Sequence, residues 1–301
     1  DFYPNPKRGT VVYLFKFLQI SRPSILAIAF MGTFTFGWLF TGKHLWLLAS
    51  ICAFDWFIVN LLNRVADLRE DEANHIFGTS FAAQYQNFIL RGGLTSLILS
   101  FPLFYFFFPE IFWLRVGYHL LGLSYNWSFL PGGRRIKQLY FWKNTASAIG
   151  FIVTVFLYPL ATIQNWSQMP SDITLETILF SGVFFFFFEI SYEIIYDLRD
   201  IAGDTQNNIQ TYPVVHGQTG AVKIIDTLLL LSILTLGVGY GTHWVPWRIF
   251  IMFVAPIFQF FYYKHALKRG LNSRDCILLT WLGASLLVIY NFWVYFRLPG
   301  A

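Results

Sequence analysis

The segment LLASICAFDWFIVNLLNRVADLRED, residues 47–71, decides how the chain is read. It opens as an apolar run of membrane-crossing length and closes on NRVADLRED (63–71), rich in Asn and carboxylates. Interfacial helix ends commonly acquire charged caps, and that is the plain alternative. If the helix continues, however, 100° per residue puts Asn60, Asn63, Asp67, Asp71 and Asn74 within an arc of about 80°. A second stretch, EIIYDLRDIAGD (193–204), follows another apolar run and does the same. There Glu189, Glu193, Asp197, Asp200 and Asp204 share an arc of about 80°. Solvated charge has no need of such stripes; a bundle that gathers carboxylates from two helices at one depth does.

Outward from these stretches, the chain reads as a membrane protein. Of its 301 residues 56% are hydrophobic and only 12% charged, against about 25% charged in soluble domains. Continuous apolar runs predict an all-α integral membrane protein of nine helices, roughly 24–41, 44–65, 94–109, 111–127, 144–163, 174–196, 220–240, 247–264 and 276–296. A β-barrel would alternate instead. No linker of disorder-like composition interrupts the runs, so 1–301 is expected to form one transmembrane domain. No cleavable signal peptide is visible.

Lys43, Arg115, Arg248 and Arg297 fall on one side of this topology. The remaining 17 of the 21 Lys and Arg, among them Lys7, Arg8, Lys16 and Arg22, fall on the other. That bias places the acidic stretches on the cytoplasmic side, in a bacterial inner membrane or an organelle membrane. The net charge of +5 is accounted for by topology and gives no nucleic-acid signal. Cys52 and Cys276 form neither a disulfide framework nor a metal spacing. The six His are scattered, and no P-loop or GxGxxG appears. Asp55, Glu189 and Glu193, ionisable residues inside spans, are functional candidates by default.

Clustered carboxylates with Asn carbonyls are hard oxygen donors suited to Mg²⁺, which commonly binds through one or two carboxylates plus substrate phosphates. Two such faces suit a diphosphate bridged by Mg²⁺.

The quoted stretches resemble a known pattern. NRVADLRED resembles the first Asp-rich motif, NxxxDxxxD, of the UbiA superfamily of intramembrane prenyltransferases. YDLRDIAGDTQNNIQTYPVVHG (196–217) resembles the second, in the style of the menaquinone-pathway and chlorophyll-synthase branches. YNWSFLPGGRRIKQLYFWKN (125–144) stands where the family has its Tyr, Pro and Lys/Arg loop. The resemblance implies nine helices around a lipid-accessible chamber and Mg²⁺-dependent transfer of a polyprenyl group from its diphosphate to a lipophilic, aromatic or pigment-like acceptor. By position it makes Asn63, Asp67, Asp71, Asp197, Asp200 and Asp204 metal ligands. Arg135, Lys137, Lys143 and Arg199 would neutralise the departing diphosphate. Tyr192 and Tyr196, with Tyr125 and Phe188, are candidates to face the allyl cation, although most aromatics in such a chain face lipid or fill the bundle. Of FFFFF (184–188), one or two are expected to face a chamber.

The pattern also departs from the family. EANHIFGTSFAAQ (72–84) lacks the expected Arg and Pro, and Thr205 and Gln210 stand where cations are usual. Arg91 is a candidate substitute. The readings left open beside prenyl transfer are an intramembrane diphosphate lyase or terpene cyclase and a non-catalytic lipid- or pigment-binding subunit of a membrane complex. A transporter is disfavoured because most of the acids sit at span ends rather than mid-membrane.

Overall fold

The computed structural model of the protein describes residues 16–298; Lys7 and Arg8 lie outside them. Among the described residues there is no β-strand. The long helices are α1 (Pro23–Thr41), α2 (Trp46–Ala66), α5 (Gln86–Phe107), α6 (Phe112–Asn126), α7 (Trp142–Ala161), α8 (Leu175–Gln206), α9 (Tyr212–Gly241), α10 (Trp247–Lys268) and α11 (Ser273–Tyr295). Two short helices, α3 (Leu68–Ala73) and α4 (Thr79–Gln84), lie between α2 and α5. Eight of the nine are long and apolar enough to cross a membrane. The exception is α6, with 15 residues. It is shorter than the roughly 20 residues a full span needs.

Local signals set the helix ends. Pro23 opens α1, where a missing N–H costs nothing. Gly42 closes it in the left-handed conformation, donating its N–H to Trp38 O at 2.8 Å. Asn272 caps α11 and forms a capping box with Asp275. Inside α7 the backbone takes a π turn over Ile152–Leu157 just before Pro159, whose missing N–H disturbs the regular ladder.

The helices close into a ring. α1 lies between α2 and α11 and also touches α7; α2 meets α5 and α6; α6 leads to α7, α7 to α8, and α8 through α9 and α10 back to α11. The outer faces of α5, α9 and α11 expose large apolar side chains such as Ile98, Leu230 and Ile289. Such faces are stable only against lipid, and the protein is a multi-pass membrane protein.

Two adjoining cavities lie within the ring. One is polar, about 190 Å³, near the ends of α2 and α8. The other is apolar, about 420 Å³, lined by α1, α7, α8, α10 and α11. Ile25, Trp56 and Glu193 line both, so the spaces adjoin. Three of the five consecutive phenylalanines, Phe184, Phe185 and Phe188, line the apolar chamber. That exceeds the sequence expectation, because positions i, i+1 and i+4 share a broad helical face and the chamber is wide enough to meet all three.

Candidate active site

The first acidic stretch does not continue as one helix. α2 stops at Ala66, Asp67 takes φ −106° and ψ 16°, and α3 restarts at Leu68. The single helix that the arc assumes therefore ends at Ala66. The bend nonetheless turns Glu70 and Asp71 back over the cavity that Asn60, Asn63 and Asp67 line from α2. The second stretch is continuous: α8 runs unbroken through Glu193, Asp197, Asp200 and Asp204, and all four line the same cavity.

The two acidic ends are joined directly. Asn74 Oδ1 accepts the backbone N–H of Gly203 at 2.9 Å. A Cβ at position 203 would come within 2.3 Å of Asn74 Oδ1, so only glycine admits this approach.

Cations hold nearly every carboxylate. Lys137, brought in by the loop between α6 and α7, is hydrogen-bonded to both Asp67 and Glu70. Arg135 lies outside the cavity lining but reaches Glu70 at 2.8 Å and Asp67 at 3.5 Å. Arg64 binds Asp71 at 2.7 Å, with both side chains buried. Across the cavity Lys143 bridges Asp197 at 2.9 Å and Asp204 at 3.0 Å, and Asn144 Nδ2 donates to Asp197 at 2.9 Å. Arg199 pairs with Asp200 and lies 4.9 Å from the centre of the Tyr196 ring. Burial pushes the Asp67 carboxyl above the usual range, Lys137 beside it pulls it back down, and Glu70 adds to the rise.

Of the sequence candidates, Asn63, Asp67, Asp71, Lys137, Lys143, Tyr196, Asp197, Arg199, Asp200 and Asp204 come together on one cavity, and Tyr125 joins them. Tyr192 does not: it lines the apolar chamber, hydrogen-bonded to Tyr196 and Thr280. Phe188 lines that chamber too. Arg91 is exposed and lines neither space.

Sequence reasoning missed Arg22, which lines the cavity and donates to Asn60 Oδ1 at 3.3 Å. It supplies a cation where the stretch after Asp71 has none. The available signal was its place, on the motif side just before the first span. The tie of Glu70 to Lys137 and Arg135 was also missed.

The cavity suits a cation–diphosphate ligand by charge and by donor chemistry. Seven carboxyl groups and four Lys and Arg line it. With Arg64 and Arg135, which pair with these acids from outside the lining, seven carboxyl groups meet six cations, so with all ionised the excess is a single negative charge, which a divalent cation would reverse. The donors are hard oxygens. Tyr118 Oη and Asn126 Oδ1 line the cavity, buried and without hydrogen-bond partners, as in a site whose ligand completes its bonding. Among the described residues no three His, Cys, Asp or Glu converge closely enough to grip a metal unaided. The lysines stand between them.

The model of the UbiA prenyltransferase family matches residues 56–283 of the chain. A UbiA homologue from Archaeoglobus fulgidus, solved bound to DMAPP and Mg²⁺, superposes with a TM-score of 0.68 at 15% identity, covering 92% of this chain and 98% of that one. A digeranylgeranylglyceryl phosphate synthase gives 0.58 at 14% identity over 92% and 95%. The apo UbiA homologue from Aeropyrum pernix K1 gives 0.59 at 12% over 90% and 98%. No curated protein sequence matches. The chain belongs to the UbiA prenyltransferase family and by that membership is a prenyltransferase.

Proposed function

We propose that this prenyltransferase moves a polyprenyl group from its diphosphate to a lipophilic acceptor inside the membrane and depends on Mg²⁺ to do so. The observation that carries the reading is the adjacency of a carboxylate-rich cavity and a larger apolar chamber through Ile25, Trp56 and Glu193. A molecule with a diphosphate head and a hydrocarbon tail matches that pair of spaces. The homologue of like fold bound to DMAPP and Mg²⁺ supports it.

Asn63, Asp67 and Asp71 from one side and Asp197, Asp200 and Asp204 from the other would hold the metal. When bound, Mg²⁺ neutralises the diphosphate and eases cleavage of the allylic C–O bond. Lys137 and Lys143, now spent on carboxylates, are the groups that exchange onto the diphosphate as it arrives. Arg22 and Arg199 add charge from the cavity wall. Trp56 is fixed at the junction by its Nε1 donating to Thr154 Oγ1 at 2.9 Å. Its ring, and that of Tyr196 elsewhere on the polar cavity's wall, are the π systems that would face a developing allyl cation. The apolar chamber keeps water from that cation.

In this reading residues 1–301 form one domain, the acidic cavity opens to the cytoplasmic side by the Lys/Arg bias, and no nucleic acid takes part. A second reading has one observation in its favour: the motif carboxylates are already neutralised by the chain's own cations. A non-catalytic lipid- or pigment-binding subunit would show that too. Binding of a hydrolysis-resistant geranylgeranyl diphosphate analogue to purified protein separates the two. Mg²⁺-dependent binding, lost in EDTA and in Asp67→Ala, is expected. No binding under either condition favours the subunit.

A further inference from the structure

The two spaces share a stretch of wall where α8 faces α11, and one hydroxyl on α11 ties that wall together. Thr280, 1% exposed, lines the apolar chamber. Its Oγ1 is hydrogen-bonded to the hydroxyls of both Tyr192 and Tyr196, the latter at 2.7 Å, and donates to Cys276 O at 3.1 Å. Tyr196 Oη also lies 3.0 Å from Tyr192 Oη and 3.0 Å from Cys276 O. Each hydroxyl has one proton to give, and each finds an acceptor within this cluster. The cluster is therefore closed on itself, and what it does is hold the two rings.

One of those rings carries a cation. Tyr192 and Tyr196 stand one turn apart on α8, the first on the apolar chamber and the second on the polar cavity. The guanidinium of Arg199 lies over the Tyr196 ring, 4.9 Å from its centre, an attractive place for a cation. Arg199 gives Nε and Nη2 to Asp200, the first at 2.6 Å, which leaves Nη1 outside that pair. Asp200 fixes one edge of the planar fork and the Tyr196 ring fixes its face. Without its hydroxyl bonds the Tyr196 ring would be free to change rotamer, and the guanidinium would lose the surface it lies on.

We propose that Thr280 is a positioning residue for prenyl transfer: through Tyr196 it holds Arg199 where the remaining guanidinium N–H groups meet the donor's diphosphate. The role rests on the donor's diphosphate occupying the polar cavity, and it deepens that reading by tracing one of the cavity's cations to a hydroxyl on another helix. The sign of the effect separates positioning from direct contact. Thr280 faces the apolar chamber, so exchanging its hydroxyl for a methyl leaves the grip on a prenyl tail unchanged or strengthens it. Lost positioning weakens the grip on the diphosphate.

The test titrates the hydrolysis-resistant geranylgeranyl diphosphate analogue, with Mg²⁺, into the full chain in phosphatidylcholine nanodiscs. Thr280→Val is expected to weaken binding about three- to tenfold. Thr280→Ser keeps the hydroxyl and is expected to bind within about twofold of the wild type. Arg199→Lys keeps the charge and discards the planar fork; in that background Thr280→Val is expected to cost nothing further, because the residue it acts through is gone. Unchanged or tighter binding in Thr280→Val, a loss in Thr280→Ser equal to that in Thr280→Val, or the same loss from Thr280→Val in both backgrounds overturns the proposal. If Thr280→Val fails to fold, Tyr196→Phe takes its place: it keeps the ring and drops the tether, and wild-type affinity in that variant overturns the proposal equally. A wild-type protein that binds no analogue refutes the donor reading and this role with it, whereas binding that Thr280→Val leaves intact refutes this role alone.

Discussion

Two carboxylate clusters sit deep in this protein, and they are built differently. At the polar cavity, Lys137 holds Asp67 with help from Arg135, Lys143 holds Asp197 and Asp204, and all three acids line open space. Within the membrane, Asp55 is fully buried and fully saturated. Arg115 grips it with Nε at 2.9 Å and Nη2 at 2.6 Å, His119 lies at 3.0 Å, and Tyr158 Oη donates at 2.9 Å. Arg115 is further tied to Ser100 Oγ at 2.9 Å and lies over the rings of Phe101 and Phe104. This second cluster knits α2, α5, α6 and α7 and lines neither space. The difference teaches that burial of a charge inside a span is a poor guide to function. What separates a site from a staple is unspent bonding capacity. A lysine is a compact, mobile point charge able to exchange partners, whereas the Arg115 fork, backed by His119 and Tyr158, leaves Asp55 no bonding capacity to give up.

The comparison is broken most decisively by removing one acid from each cluster. Asp67→Ala or Asp204→Ala should cut prenyl-transfer turnover by about 10²–10³-fold or more, with a melting transition close to the wild type. Turnover near normal in both would sink the metal assignment. Asp55→Ala should do the opposite to stability: it strands the buried Arg115 charge at a cost of about 3–5 kcal/mol, read as a lowered thermal midpoint in nanodiscs. If Asp55→Ala melts like the wild type, the staple reading fails.

Much of this contrast could not be read from the chain. The spans were legible because twenty apolar residues have few other uses, and the acidic stretches because two of them recur at the ends of matched spans. Arg115, counted among the charges of one membrane side, is buried against Asp55, an acid distant in sequence, a pairing no local pattern reveals. α5 begins at Gln86, well before the expected 94, because QNFILRGG mixes polar and apolar residues and dilutes the hydropathy signal. α8 runs on to Gln206 because its terminal acids find cations across the cavity, which lets a charged segment stay helical at depth. The break at Asp67 was hidden for a related reason: fixed angular periodicity assumes a helix that tertiary contacts here interrupt.

Smaller changes sharpen the picture. Gly203→Ala drives a methyl into Asn74 and should cost about 1–3 kcal/mol. It should also lower turnover by spreading the two acidic ends, and a variant with wild-type turnover would show that their spacing is not critical. Asn74→Ala removes only the hydrogen bond to Gly203 N. The expected loss is about 1 kcal/mol with partial activity, measurable as a small fall in thermal midpoint. A larger fall than for Gly203→Ala would contradict the ranking.

The central claim is that the lysines release the carboxylates only when a diphosphate arrives. Calorimetric titration of Mg²⁺ into the nanodisc-embedded protein, with and without the hydrolysis-resistant geranylgeranyl diphosphate analogue, tests it most directly. The account predicts Mg²⁺ binding at least about tenfold tighter with the analogue present, abolished by Asp67→Ala and by Asp204→Ala. Mg²⁺ binding that is the same with and without the analogue, or absent in both, would contradict it.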